Sequence, residues 1–226
     1  QSDLASTLQY LCDEDRACAT RAQGLDAVWN AFYVGDIAQQ ILAHQRAHDG
    51  LLGAADMAEF RAQILPALMR TYNFGGEQVK VHTCGAWSQG PFTHEALAML
   101  QHLDLEKMGY GSEAYFHTLA ETFKLTLADR EAYLGDPDFV DVPLAQLTSA
   151  SYAAERAALI DATAAPGMPM PGRAGDVEPY LSPVISRTEP ERLPADTSIV
   201  AVVDRFGNAL CATPSDTSWD TPVVPG

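Results

Sequence analysis

Basic residues are scarce in this chain of 226 residues: 14 Lys+Arg stand against 30 Asp+Glu, a formal net charge of -16 at pH 7. Nucleic-acid affinity rests on neutralising phosphates with cationic side chains, so the deficit argues against a nucleic-acid partner. It argues equally against an anionic membrane surface, and it fits an acidic, solubilising exterior. Long apolar runs are missing too: there is no stretch of membrane-spanning length and no secretory signal. Position 1 is Gln and Gly226 stops among residues that read as continuing structure, so the expectation is an internal fragment of a longer precursor. Cysteine is sparse. Cys12, Cys18, Cys84 and Cys211 form no CxxC pair, and the chain is too large to need a disulfide framework. Cys12 and Cys18 could bridge or stay free, which leaves the redox compartment open, and periplasmic, secreted and cytoplasmic locations with it.

What is present is enough for a sizeable core, with 47% hydrophobic residues in a length that suits one large domain or two small ones. Residues 1–21 mix apolar and acidic positions, as helix or loop. Asp36 starts a helix whose Ile37, Ile41 and Leu42 follow helical spacing and which ends before Gly50. A further helix is expected over Ala55 to Gln63, with Pro66 discouraging extension, then a short strand over Val79 to His82. Cys84 to Pro91 is a small-residue loop opening a helix of Ala96, Leu97, Met99 and Leu100. Ser112 caps a long helix whose Phe116, Leu119, Ala120, Phe123 and Leu127 form an apolar stripe, read as core. Gly135 and Pro137 end it. Residues 163–196 are rich in Pro and Gly and are expected to be an extended, mobile linker. Ser198 to Val203 is a branched strand, Asp204 to Asn208 a turn whose Gly207 and Asn208 both tolerate positive φ, and Ala209 to Thr213 a returning strand.

Three constellations invite a chemical reading. His44 and His48 lie one helical turn apart, but the glutamate of HExxH and a third ligand are missing, so they read as a surface pair and no metal is expected. His82, Cys84 and Ser88 sit close in sequence, yet no base is spaced from either nucleophile, and the loop lacks the Gly-Lys-Ser/Thr ending of a phosphate loop. Thr197, just ahead of the hairpin strand, would be an ordinary β-former on its own.

The pattern around Thr197 changes that. Thr197 followed by Val202-Val203-Asp204 and Gly207-Asn208-Ala209 resembles the start of the small subunit in the γ-glutamyltransferase (γ-glutamyltranspeptidase) family of N-terminal-nucleophile hydrolases. Upstream, Ala128-Asp129-Arg130-Glu131-Ala132-Tyr133-Leu134-Gly135-Asp136-Pro137-Asp138-Phe139-Val140 is similar to that family's ADRxxYLGDPDFV signature. Tyr152-Ala153-Ala154-Glu155-Arg156 follows it, and Ala31 to Ala38 resembles the AFYxGxIA segment. The resemblance covers residues 25–226. It implies an α+β fold of four αββα layers, with residues 1–162 a mainly helical part of the large subunit, 163–196 the linker ending at the processing site, and 197–226 the start of the small subunit. The terminal hairpin is then expected to expose an edge or a bare sheet face.

The resemblance also implies self-cleavage at Asp196-Thr197, which converts Thr197 into the nucleophile. A hydroxyl needs a base beside it, and an uncut chain offers only an amide nitrogen; cleavage frees an α-amine that titrates near ~8. The expected substrate is a small γ-glutamyl amide of the glutathione kind, with water or an amino acid or peptide as acceptor. No cofactor is implied, and the partners are the two subunits cut from one precursor. Ser215, Asp216 and Thr217 fall where the family orients nucleophile and substrate. Ser215 keeps the orienting hydroxyl, whereas Thr217 replaces an amide and Asp216 is a turn residue or an acidic contact. Thr197-Ser198-Ile199 at the cleavage point and CGAWSQGP in place of PPPSSGG mark a divergent branch. That leaves a related amide acylase, of the cephalosporin acylase type, or a non-catalytic uncut homologue as alternatives. The family's carboxylate-binding arginine and glycine-rich oxyanion loop are expected before Gln1 and after Gly226, so the piece by itself is expected to be inactive.

Overall fold

A computed structural model describes residues 2–181 and 198–213, whose helices and strands form an α+β chain. These fall into two units, one of residues 2–63 with 198–213 and the other of residues 64–181.

In residues 2–63 four helices follow one another. They are α1 (Ser2–Arg16), α2 (Arg21–Tyr33), α3 (Asp36–Ala47) and α4 (Ala54–Glu59). Thr20 caps α2 by accepting the Gln23 N–H at 3.3 Å, and α3 begins at Asp36 as its pattern predicts. Ala38, Leu42 and Met57 are buried against Phe32, Tyr33 and Ile41. The fourth helix falls short of Gln63. Phe60 turns extended to stack on Tyr33 with ring centres 5.2 Å apart. Arg61 folds back, its Nη1 donating to the Ala58 carbonyl at 3.0 Å and its guanidinium lying 3.8 Å from the Trp29 ring centre. These aromatic contacts outweigh the helix propensity of the next four residues. Cys12 and Cys18 are both free thiols.

Residues 64–181 open on a hairpin, β1 (Leu68–Phe74) and β2 (Glu77–Thr83), antiparallel with Phe74 opposite Glu77. Only the second strand has a counterpart in the sequence reading. The first was missed although Gly75-Gly76 supplies a two-residue turn, taking φ of +60° and +89°. Helices α5 (Gly90–Leu100), α6 (Leu105–Met108), α7 (Glu113–Tyr133), α8 (Leu144–Leu147) and α9 (Ala150–Ala157) follow, with α5 packed on α7 and α9. Met99, Leu125, Ala153 and Ala157 make one core cluster; Ala132, Tyr133, Leu147, Tyr152 and Ala174 make another. Residues 161–181 hold neither helix nor strand, yet Ala174 is fully buried.

The expected apolar stripe of α7 is corrected by the structure. Phe116 and Phe123 are 62% and 42% exposed, and Ala120 is exposed with them, while the buried face is Thr118, Glu121, Thr122, Leu125, Thr126, Asp129 and Ala132. That face is polar but self-satisfied: Thr122 Oγ1 donates to the Thr118 carbonyl at 2.8 Å and Thr126 Oγ1 to the Thr122 carbonyl at 3.1 Å. Hydroxyls that bond back one turn bury without the usual penalty, so hydrophobic periodicity does not see them.

The second hairpin, β3 (Val200–Val203) and β4 (Ala209–Ala212), pairs antiparallel with Val203 opposite Ala209, and all eight residues are exposed. Gly207 takes φ +85° in its turn; Asn208 does not adopt positive φ and contributes its side chain instead.

Candidate functional site

The residues that the sequence assigns to processing and catalysis, Asp196, Thr197, Ser215, Asp216 and Thr217, lie outside the described residues. The described hairpin begins at Val200, later than the Ser198 start expected from the sequence. Its turn is built on Asp204. One carboxylate oxygen accepts the Phe206 and Asn208 N–H groups at 2.8 and 2.9 Å, and the other accepts the Asn208 amide at 2.8 Å. These donors, Asn208 foremost, hold the Asp204 carboxyl below the usual carboxylate range. A closed turn fixes the register of both strands.

The upstream signature forms the polar centre of residues 64–181. Asp129, on α7, is fully buried and receives Arg156 of α9 through Nε at 2.8 Å and Nη2 at 3.2 Å, an ion pair joining residues 27 positions apart. Arg156 Nη2 also donates to the Leu125 and Met170 carbonyls, and the Gly172 N–H donates to Asp129 at 2.6 Å. Glu95 on α5, 3% exposed, completes the centre. Burial first, then hydrogen bonding and repulsion from Asp129, push its carboxyl up to about 10 against the pull of Arg156. Glu95 is therefore a neutral acid at pH 7. Its Oε1 is buried without a hydrogen-bond partner. Tyr152, fully buried, is raised by the same burial and by both carboxyls.

The remaining signature residues serve a shallower hollow of about 280 Å³, lined by Trp87, Ser88, Gln89, Arg130, Glu131 and Gly135. Arg130 donates to Gln89 Oε1 at 2.8 Å and pairs with its neighbour Glu131. Asp136 closes the GDPDFV turn, accepting the Asp138 N–H on its side chain at 2.9 Å.

The other candidate groups do not assemble into chemistry. Ser88 Oγ donates to the Gly85 carbonyl and accepts the Gly90 N–H, which shapes the loop ahead of α5, while His82 and Cys84 are exposed. The buried histidine is His94, whose Nε2–H donates to the Leu68 carbonyl at 3.1 Å while Nδ1 accepts from Tyr72 at 2.8 Å. His44 and His48 lie against each other with ring centres 4.3 Å apart and planes tilted by 37°, and no group of three or more metal-ligating side chains exists among the described residues. Glu95 escaped the sequence reading. Its signal was a lone carboxylate ahead of the apolar run Ala96–Leu100.

Comparison with known proteins agrees with the signature. The gamma-glutamyltranspeptidase family matches residues 1–221. A glutathione hydrolase proenzyme of Escherichia coli (strain K12) is 34% identical over 197 residues, 86% of this chain and 31% of the relative. An acylase ACY 1 proenzyme of Pseudomonas sp. (strain SE83) is 30% identical over 213 residues, 94% of this chain and 32% of the relative. The crystal structure of Helicobacter pylori gamma-glutamyltranspeptidase superposes with a TM-score of 0.63 at 26% identity, over 79% of this chain and 47% of that one. The chain spans about a third of the length of these curated relatives, as the 31% and 32% shares state. With a family match across nearly its whole length and the signature residues at the heart of its packing, the chain belongs to the gamma-glutamyltranspeptidase family of N-terminal-nucleophile hydrolases.

Proposed function

We propose that the full-length protein is a γ-glutamyl hydrolase and transferase that activates itself by cutting the Asp196–Thr197 bond. The observation that carries this reading is the conjunction of Thr197 at the head of a hairpin strand with the intact ADREAYLGDPDFV block, in a chain whose family relatives are proenzymes. Thr197 Oγ attacks the Asp196 carbonyl carbon, and the peptide bond from that carbon to the Thr197 nitrogen breaks as the acyl group moves to oxygen and the nitrogen takes up the hydroxyl proton. Water then hydrolyses that ester, leaving an Asp196 carboxylate and a free Thr197 α-amine. The amine takes the hydroxyl proton when Oγ attacks a γ-glutamyl amide, and the leaving amine departs protonated from an acyl-enzyme ester. Water or an amino acid then takes the acyl group. Ser215 orients the nucleophile, Thr217 and Asp216 contact substrate, no cofactor takes part, and the two subunits pack as four αββα layers.

The first prediction is direct. Intact-mass measurement of the purified full-length protein should show two chains, while Thr197→Ala stays whole. Turnover by a single uncut species would sink the reading.

A second reading is favoured by the ACY 1 relatives, which match 94% of the chain, and by Thr217 in place of an amide. In it the same nucleophile accepts an acyl group lacking the α-amino end. Faster release from a glutaryl amide than from a γ-glutamyl amide would select it.

A further inference from the structure

The stretch between α9 and the processing segment is bound along its length to one helix. His117 Nε2–H donates to the Asp161 carbonyl at 2.7 Å, and Lys124 Nζ donates to the Ala165 carbonyl at 2.8 Å. The Ala165 N–H donates to Glu121, the Gly172 N–H to Asp129, and Tyr133 OH to the Gly172 carbonyl at 2.7 Å. Finally the Tyr180 N–H donates to the Ala132 carbonyl at 2.9 Å. The partners on α7, from His117 through Glu121, Lys124 and Asp129 to Ala132 and Tyr133, advance along the helix with the bound residues, so the stretch runs parallel to the helix. Space as well as polarity is committed at the middle contact: a Cβ on Gly172 would collide with the Tyr152 hydroxyl and come within 2.8 Å of Arg156 Cδ.

We propose that residues 161–181 form a strap fastened along α7 and that Glu95, Asp129 and Arg156 are its catch.

The catch depends on one proton. Glu95 faces Asp129 from α7 and Arg156 and Tyr152 from α9; Arg70 and His82 of the β1–β2 hairpin act on His94. The strap itself offers the site only backbone groups, the Gly172 N–H and Met170 carbonyl. With Glu95 protonated, its O–H donates to Asp129 and one carboxylate meets one guanidinium. Loss of that proton to solvent sets two buried carboxylates against a single cation, and the strap's backbone is the part of the site free to move away.

The test is hydrogen exchange in the full-length protein, comparing peptides within 163–181 with peptides of α7 at pH 7 and pH 10, after correction for the intrinsic exchange rate. Strap protection should fall at least tenfold at pH 10 while α7 holds. Glu95→Gln, which keeps a donor that does not titrate, should remain protected at both values. Unchanged wild-type protection at pH 10, or loss in Glu95→Gln equal to wild type, overturns the catch.

Discussion

Asp129 and Arg156 are, at the residue scale, the clearest case of burial deciding an energy. With their side chains 0% and 5% exposed, the pair is worth little relative to apolar packing, but each charge is expensive without the other. Arg156→Met should cost about 3–5 kcal/mol in urea denaturation, and adding Asp129→Leu should recover most of it, a double-mutant cycle that isolates the unpaired charge. Glu95 and His94, adjacent on α5, pull the pH dependence in opposite directions. Glu95 has its folded value raised to about 10 from 4.5, so its contribution is complete below 4.5 and is lost as pH climbs towards 10, at roughly 1 kcal/mol per pH unit. Burial holds His94 below its ordinary 6.5, so its contribution is present above that value and is lost as pH falls through the folded one. Urea midpoints measured from pH 5 to pH 9 should therefore decline on the alkaline side, and Glu95→Gln should flatten that decline. Asp129 and Arg156 were both visible as signature letters. Nothing in their spacing showed that they meet, because the meeting depends on how α9 returns across α7.

At the scale of the element, caps and turns were the most legible features. Ser112, read as a cap from the sequence, accepts the Tyr115 N–H at 3.1 Å; Ser149, which the sequence reading did not single out, accepts the Tyr152 N–H at 3.2 Å, and at both a short hydroxyl side chain outcompetes water for an orphan donor. Ser112→Ala should lower stability by about 1 kcal/mol, read as a shifted thermal midpoint with the fold retained. Gly76, at φ +89° with open space where a side chain would point, is constrained by conformation alone. Its replacement by Ala should cost about 1 kcal/mol through the left-handed backbone rather than through a clash. The apolar stripe of α7 was the failed reading, and the cause is chemical. Threonines bonded back to carbonyls of their own helix, and carboxylates paired with Lys124 and Arg156, can fill a buried face, leaving phenylalanines such as Phe116 outward. The end of α4 failed for a related reason, since an arginine stacked on tryptophan decides it from outside the helix.

For the whole molecule, a third of a relative's length carries the family's signature and a polar centre built from it, while all eight strand residues of β3 and β4 stay exposed. Membership in the family was legible because ADREAYLGDPDFV and the Thr197 pattern are long strings with fixed order. The sequence by itself determined that membership, the acidic character, the starts of α3, α4 and α7 and the second hairpin, since each depends on residues close together in the chain. Only the tertiary structure decided that Glu95, Asp129, Arg156 and Gly172 converge, that Glu95 is neutral, and that residues 161–181 are bound along α7. The physical reason is that desolvation and ion pairing depend on distance in space, and three separate helices and a strap have to pack before a carboxyl loses its water.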